Sequence, residues 1–312
     1  MVFGVVFSVL FFSSKRIVRQ EAESHAGSEL SGTVYQIEDI LHQVEAAAKN
    51  MEWLVRDRLG NPDSLYAVTR MMMRTNPHVI GSCVAFEPGF YAEKGELFAP
   101  YSYLTEEGEV KDRNLGYAAY NYHAKEWYAT PKRLDRNYWS EPYFDEGGGD
   151  RVMSTYSHVL RNGEGKMFGI LTADISLDHL SGLVNGIKPY PGSYTLMISR
   201  LGNYLVHPKP ERILHETIYT ATSDMTDRSV TILGDAMIRG EEGMHELQND
   251  DTLSYVFYKP VEGTEWSVAV VCPYRDVFAP LDRLTLVVVS VFLLGLLALL
   301  FFCVWRIRRT SH

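Results

Sequence analysis

The residue whose chemistry most needs an explanation is a single carboxylate. The run from Phe168 to Leu177 reads as a strand, and Asp174 is its only charged residue. Aspartate is a poor strand former, and an unpaired carboxylate is costly to bury. It therefore needs a partner. A cap on the following helix is one role, but Ser176 is better placed for that. A bound cation such as an ammonium group is the other. Upstream, between Phe86 and Phe144, aromatic residues crowd together well beyond the chain average of 12%. Tyr101, Tyr103, Tyr117, Tyr120, Tyr122, Trp127, Tyr128, Tyr138, Trp139 and Tyr143 all fall there. Such side chains combine rigid walls with a hydrogen-bonding tip, which suits a pocket closing over a small polar ligand; the same residues could equally fill a β-rich core.

Other chemistries lack their residues. The ten histidines are scattered, with no H-E-x-x-H and no paired spacing on one helix face, so no metal site is expected. There is no G-x-S-x-G elbow for a serine nucleophile. Gly147-Gly148-Gly149 lacks the flanking residues of a phosphate cradle and reads as a flexible loop. No acid and base pair can be singled out, so neither an enzyme nor a cofactor is expected. A net charge of −9 without a clustered basic patch argues against nucleic acid as a partner. Cys83, Cys272 and Cys303 give no metal spacing; Cys83 and Cys272 are either a disulfide or two separate buried thiols.

The elements that would position these residues begin at the chain ends. Leu284 to Trp305 carries no charge and is followed by Arg306, Arg308 and Arg309. As a helix it spans roughly 30 Å of hydrocarbon, a transmembrane segment with a cytoplasmic basic flank. Met1 to Phe12 is apolar but short, and reads as the end of a first span or a signal-peptide core. Leu30, Val34, Ile37, Leu41, Val44, Ala48, Met51 and Val55 step by alternating fours and threes, the seam of one long helix. Ile40, Ala47 and Leu54 widen it, leaving a strip for a partner helix and predicting a homodimer. Gly60-Asn61-Pro62 ends the helix.

Beyond it, strands are expected at 80–86, 98–104, 152–160 and 167–175, with a hairpin turn at Asn162 to Gly165 and a helix over 177–184. Lys188 to Gly192 reads as a linker. A smaller set of strands follows at 194–199, 204–207, 243–248, 253–261 and 266–271, with a turn at Leu201 to Asn203. Antiparallel sheets with segregated helices make an α+β chain.

Four segments then resemble the double Cache sensor domains of bacterial transmembrane receptors. They are Glu126-Trp127-Tyr128, Trp139 to Asp145, Met153 to Ser157, and Gly169 to Ile175. The resemblance implies two PAS-like modules beside a long stalk helix, with ligand bound in the membrane-distal one. It implies a partial first span at 1–14, a stalk at 15–60, a distal module at 61–187, a proximal module at 188–275, a transmembrane helix at 284–305 and a cytoplasmic start at 306–312. The sensor would face out of the cytoplasm from the inner membrane, over about 19–282, and the output module would lie beyond this chain. An amino-acid-binding subset has a Tyr, an Arg five residues on, a Trp-Tyr pair, a later Tyr and a strand Asp. Here these positions read Tyr120, Lys125, Trp127, Tyr128, Tyr143 and Asp174. Lys125 is the departure, because an ammonium cannot reproduce the two parallel hydrogen bonds that arginine gives a carboxylate. The expected ligand is thus an amino acid, an amine or a small carboxylate; the alternative is a degenerate pocket serving structure or protein interaction.

Overall fold

The computed structural model describes residues 2–220, 228–249 and 252–310. Met1 and residues 311–312, the outer ends of the expected first span and cytoplasmic stub, lie outside them. In chain order, α1 (Val2–Asp57) and α2 (Leu65–Thr75) lead into β1 (Val79–Phe86), β2 (Pro100–Leu104) and β3 (Val110–Asn114). Then come α3 (Glu126–Leu134), β4 (Tyr138–Trp139), β5 (Tyr143–Phe144), β6 (Val152–Arg161), β7 (Met167–Ser176) and α4 (Leu177–Val184). The second half holds β8 (Tyr194–Ile198), β9 (Tyr204–Val206), α5 (Arg228–Ile238), β10 (Gly243–Asn249), β11 (Thr252–Val261), β12 (Trp266–Pro273) and α6 (Tyr274–Thr310).

The strands form two antiparallel sheets. The distal one runs β3-β2-β1-β7-β6-β4, with β5 also on β6; the proximal one runs β10-β11-β12-β8-β9. The two hairpin turns fall where the sequence puts them, with Gly165 at φ 81° and Gly202 at φ 79°, left-handed values that glycine adopts without penalty. Ser176 caps α4, its side chain accepting from the Asp178 amide.

Both sheets lean one face on α1. Leu30, Val34, Ile37, Leu41, Val44, Ala48 and Val55 are buried, and one continuous apolar cluster follows them from the proximal sheet to the distal one. Each such aliphatic side chain removed from water contributes about 1.5–3 kcal/mol. Ile40 and Leu54, which widen the seam, are buried within this same chain, because two stacked modules need a wider strip than one. No break separates the apolar N-terminal run from the stalk either, since α1 is one unbroken helix.

Three helices arise where only strands and turns were expected: α2, α5 and α3, the last inside the aromatic-rich stretch. α6 begins ten residues before the apolar run, at Tyr274. Among the described residues it is the one helix long and apolar enough to cross a membrane, with a mean hydropathy of 3.1 over its most apolar window. Lys15 on α1 donates to the Tyr274 hydroxyl at 2.9 Å, so the N-terminal part of α1 lies beside the start of α6. Cys83 and Cys272 are free and buried in different sheets, which excludes the disulfide.

Candidate ligand site in the distal module

The second face of the distal sheet builds the site. Along β1, β6 and β7 the residues on this face are small or polar apart from Ile170: Gly81, Cys83 and Ala85, then Thr155 and Ser157, then Thr172 and Asp174. Alternation along each strand sends the apolar neighbours Val84, Phe86, Leu171 and Ala173 the other way, to α1. Above these residues Tyr101, Tyr120, Tyr122, Trp127 and Tyr128 pack as one buried cluster.

Asp174 lies on this floor, opposite Thr155 on β6 and Gly81 on β1. The Thr155 hydroxyl donates to its Oδ1 at 2.8 Å, and the Tyr143 hydroxyl lies 2.7 Å from Thr155 Oγ1. Tyr101 approaches the same carboxylate over Gly81, where a Cβ would collide with both. Burial, then the nearby charge of Asp145, push the Asp174 carboxyl up to about 7, and the Thr155 and Tyr101 hydroxyls offset part of that rise. Even so, the Tyr101 hydroxyl makes no regular hydrogen bond, and neither does the indole nitrogen of Trp127. Both residues are almost wholly buried, at 2% and 3% exposure, and a buried unpaired donor is costly unless something else satisfies it.

Asp145 is a second buried carboxylate. Tyr120 donates to its Oδ1, and the Gly149 amide donates to its Oδ2 at 2.8 Å. Its pKa is raised by burial, while the Tyr120 and Gly149 hydrogen bonds and the positive charge of Lys125 oppose the rise. Close packing explains the glycine run: a side chain at Gly148 would enter the Asp145 carboxylate, and one at Gly149 would meet the Tyr101 hydroxyl. The segment expected to be a flexible loop is tied down. Arg113 donates to the carbonyls of Gly147 and Gly148, and Tyr117 to that of Gly147.

The six residues singled out in the sequence come together in part. Tyr143, Tyr120 and Trp127 pack in the aromatic cluster over the sheet face that carries Asp174. Lys125 precedes the first turn of α3, half-buried, with its ammonium 4.7 Å from the centre of the Tyr120 ring. Tyr128 packs in the cluster, but its hydroxyl turns outward to Glu87 at 2.7 Å, beside Lys132. Asp145, Thr155, Tyr101 and Gly81 were not singled out as site residues. Asp145 carries a signal in hindsight: a carboxylate followed within two residues by three glycines, the pattern of a backbone that must pass close to it.

Residues 65–182 match the family model of the first PDC sensor domain of methyl-accepting chemotaxis protein-like receptors. The chemotaxis protein PscA of Pseudomonas syringae pv. tomato is 27% identical over 170 residues, 53% of this chain and 25% of that protein. The chain thus spans about a quarter of this curated relative's length. The extracellular domain of a protein described as a histidine kinase, soHK1S-Z6, superposes with a TM-score of 0.70 at 22% identity, over 86% of this chain and 99% of that one. The ligand-binding domain of PctB, an amino acid chemoreceptor of Pseudomonas aeruginosa PAO1 solved with L-Gln, gives 0.59 at 18% identity over 85% and 98%. At these identities the superpositions establish the fold. Residues 65–182 thus match a chemotaxis-receptor-type PDC sensor module, and the chain shares the fold of these extracellular sensor domains.

Proposed function

We propose that this chain is the sensing part of a membrane-anchored signalling receptor, and that its distal module binds a small ligand bearing an ammonium group: an amino acid or a related amine. One observation carries the reading. Asp174 and Asp145 are both buried beside the same aromatic cluster, and the charge of Asp145 adds to the cost of ionising Asp174. A cation placed between carboxylates lowers that cost, and a water-excluding wall strengthens the attraction. Trp127 Nε1 supplies an unused donor, and Lys125 a positive charge, for a carboxylate or another acceptor on the same ligand.

PctB has been solved with L-Gln and with L-Arg, ligands that carry an ammonium group. In this reading residues 19–282 lie outside the cytoplasm, α6 carries the response across the membrane, and the output module follows it. Pairing of two copies runs along the outer face of α1, where Tyr35 and Trp53 stand exposed; 18 residues apart, they share one side of the helix. Cysteine cross-linking in membranes, strong at Tyr35 and Trp53 and weak a half-turn away, would support that pairing.

Calorimetry of the full chain in detergent micelles tests the ligand class with L-glutamine, 1,4-diaminobutane and acetate. Binding of either nitrogen-bearing probe, lost in Asp174→Ala, supports the reading. Acetate binding with both of the others inert would sink it.

A further inference from the structure

The distal chamber is held from the proximal module as well as from its own walls. Arg200, in the turn after β8, reaches across to the distal module through Nη2 and Nε. Its Nη2 lies 3.1 Å from Glu126 Oε1 and its Nε 3.3 Å from Glu141 Oε1, while Nη1 lies 3.4 Å from Glu265 Oε2. The guanidinium carbon sits 4.9 Å from the centre of the Tyr138 ring, whose hydroxyl donates to the same Glu126 oxygen at 2.7 Å. Asn203 of the proximal module donates to Glu141 Oε2 at 3.0 Å.

These contacts are unequal. Glu265 is 54% exposed, so its pair is screened and weak. Glu141 is only 10% exposed, and its link to Arg200 chiefly fastens the modules together. Glu126 differs in position: it is the first residue of α3, between Lys125 and Trp127. A pull on Glu126 therefore moves both neighbours: Lys125, which lies over the Tyr120 ring, and Trp127, which packs in the aromatic cluster. From Lys125 the contacts continue to the Tyr120 ring, from the Tyr120 hydroxyl to Asp145, and from Asp145 to the Gly149 amide.

The geometry points to Arg200 as a positioning residue for the distal site: through Glu126 it sets the first turn of α3, so the proximal module completes the chamber that faces the ligand. The role rests on the sensor reading for its purpose, but not for its test. Hydrogen exchange of the full chain in micelles, without any ligand, measures it at residues 146–151, whose Gly149 amide lies at the far end of the chain of contacts. Glu126→Gln removes the charge from the α3 link while leaving the Arg200 to Glu141 pair in place, so the fold survives even if Arg200→Gln proves unstable.

The expected result is roughly tenfold faster exchange at 146–151 in Glu126→Gln, the ordinary consequence of losing one charge-assisted hydrogen bond. The double variant should be no faster than Arg200→Gln alone, because both substitutions cut one path. A bridge that merely joins the modules would loosen 122–134 and 194–206 and leave 146–151 unchanged, which overturns the inference. Failure of the probe panel would instead remove the sensor reading and leave this exchange result standing.

Discussion

The two modules share a plan and differ on one face. Each places a five- to seven-stranded antiparallel sheet against α1 through large aliphatic and aromatic side chains. Behind the proximal sheet, Leu196, Ile198, Val256, Ala269 and Val271 meet Leu233, Ala236 and Met237 of α5 in an ordinary apolar core. Behind the distal sheet the corresponding space holds Asp174, Asp145, Thr155 and a ring of tyrosines. Burying such polar groups weakens a fold relative to apolar packing of the same volume. The distal face therefore gives up stability that the proximal face keeps, as the proposed binding site requires.

The sharpest way to break this contrast is to remove the floor carboxylate. Asp174→Ala should cost a bound ammonium ligand about 30-fold to several thousand-fold in affinity, the effect of roughly 2 to 5 kcal/mol at a desolvated charge pair. Calorimetry reads it directly, and an unchanged affinity would make the chamber a core. On the proximal face the opposite balance is expected. Leu233→Ala should lower the unfolding free energy by about 2 to 5 kcal/mol in a denaturant titration, with ligand affinity unchanged under conditions where the chain stays folded.

Acidity separates the faces next. The folded pKa of Asp174, about 7, lies above that of an unfolded aspartate, so between about pH 4 and 7 the folded state holds more protons. Stability of the unliganded chain should then fall as pH rises through that window, and Asp174→Asn should flatten the slope in thermal melts. A cationic ligand needs the ionised form, so its affinity should rise over the same range. The smallest effect belongs to Lys125→Arg: a few-fold gain for a ligand with a carboxylate and none for a simple amine, because the planar fork grips two oxygens at once.

Much of the scaffold is legible in the sequence because it follows from periodicity. The α1 seam, the long strands and the Ser176 cap are local patterns, and they hold within a residue or two. The short elements β4 and β5 are not legible, since pairs such as Tyr138–Trp139 become strands only by docking on β6. α3 was hidden by its own aromatics, which favour strands by propensity but here pack as one face of a helix. At the site, Asp174 was conspicuous as a charge in an apolar run. Asp145 was not, because its burial comes from Tyr120 and Gly149, which only the fold brings beside it. Two positive residues at the start of the stalk have partners that only the fold supplies: Arg19 meets Glu246 at 3.2 Å and the ring of Tyr255, and Lys15 meets Tyr274.

The apolar cluster that follows α1 through both sheets makes the boundary near residue 188 a poor place to cut. A fragment ending there would leave the lower half of α1, from Ala22 to Leu41, stripped of the sheet that covers it. The converse fragment would have a sheet with no spine. Neither half is a free-standing building block, and a recombinant exchange of sensing modules between receptors would have to carry the matching stretch of helix with each sheet.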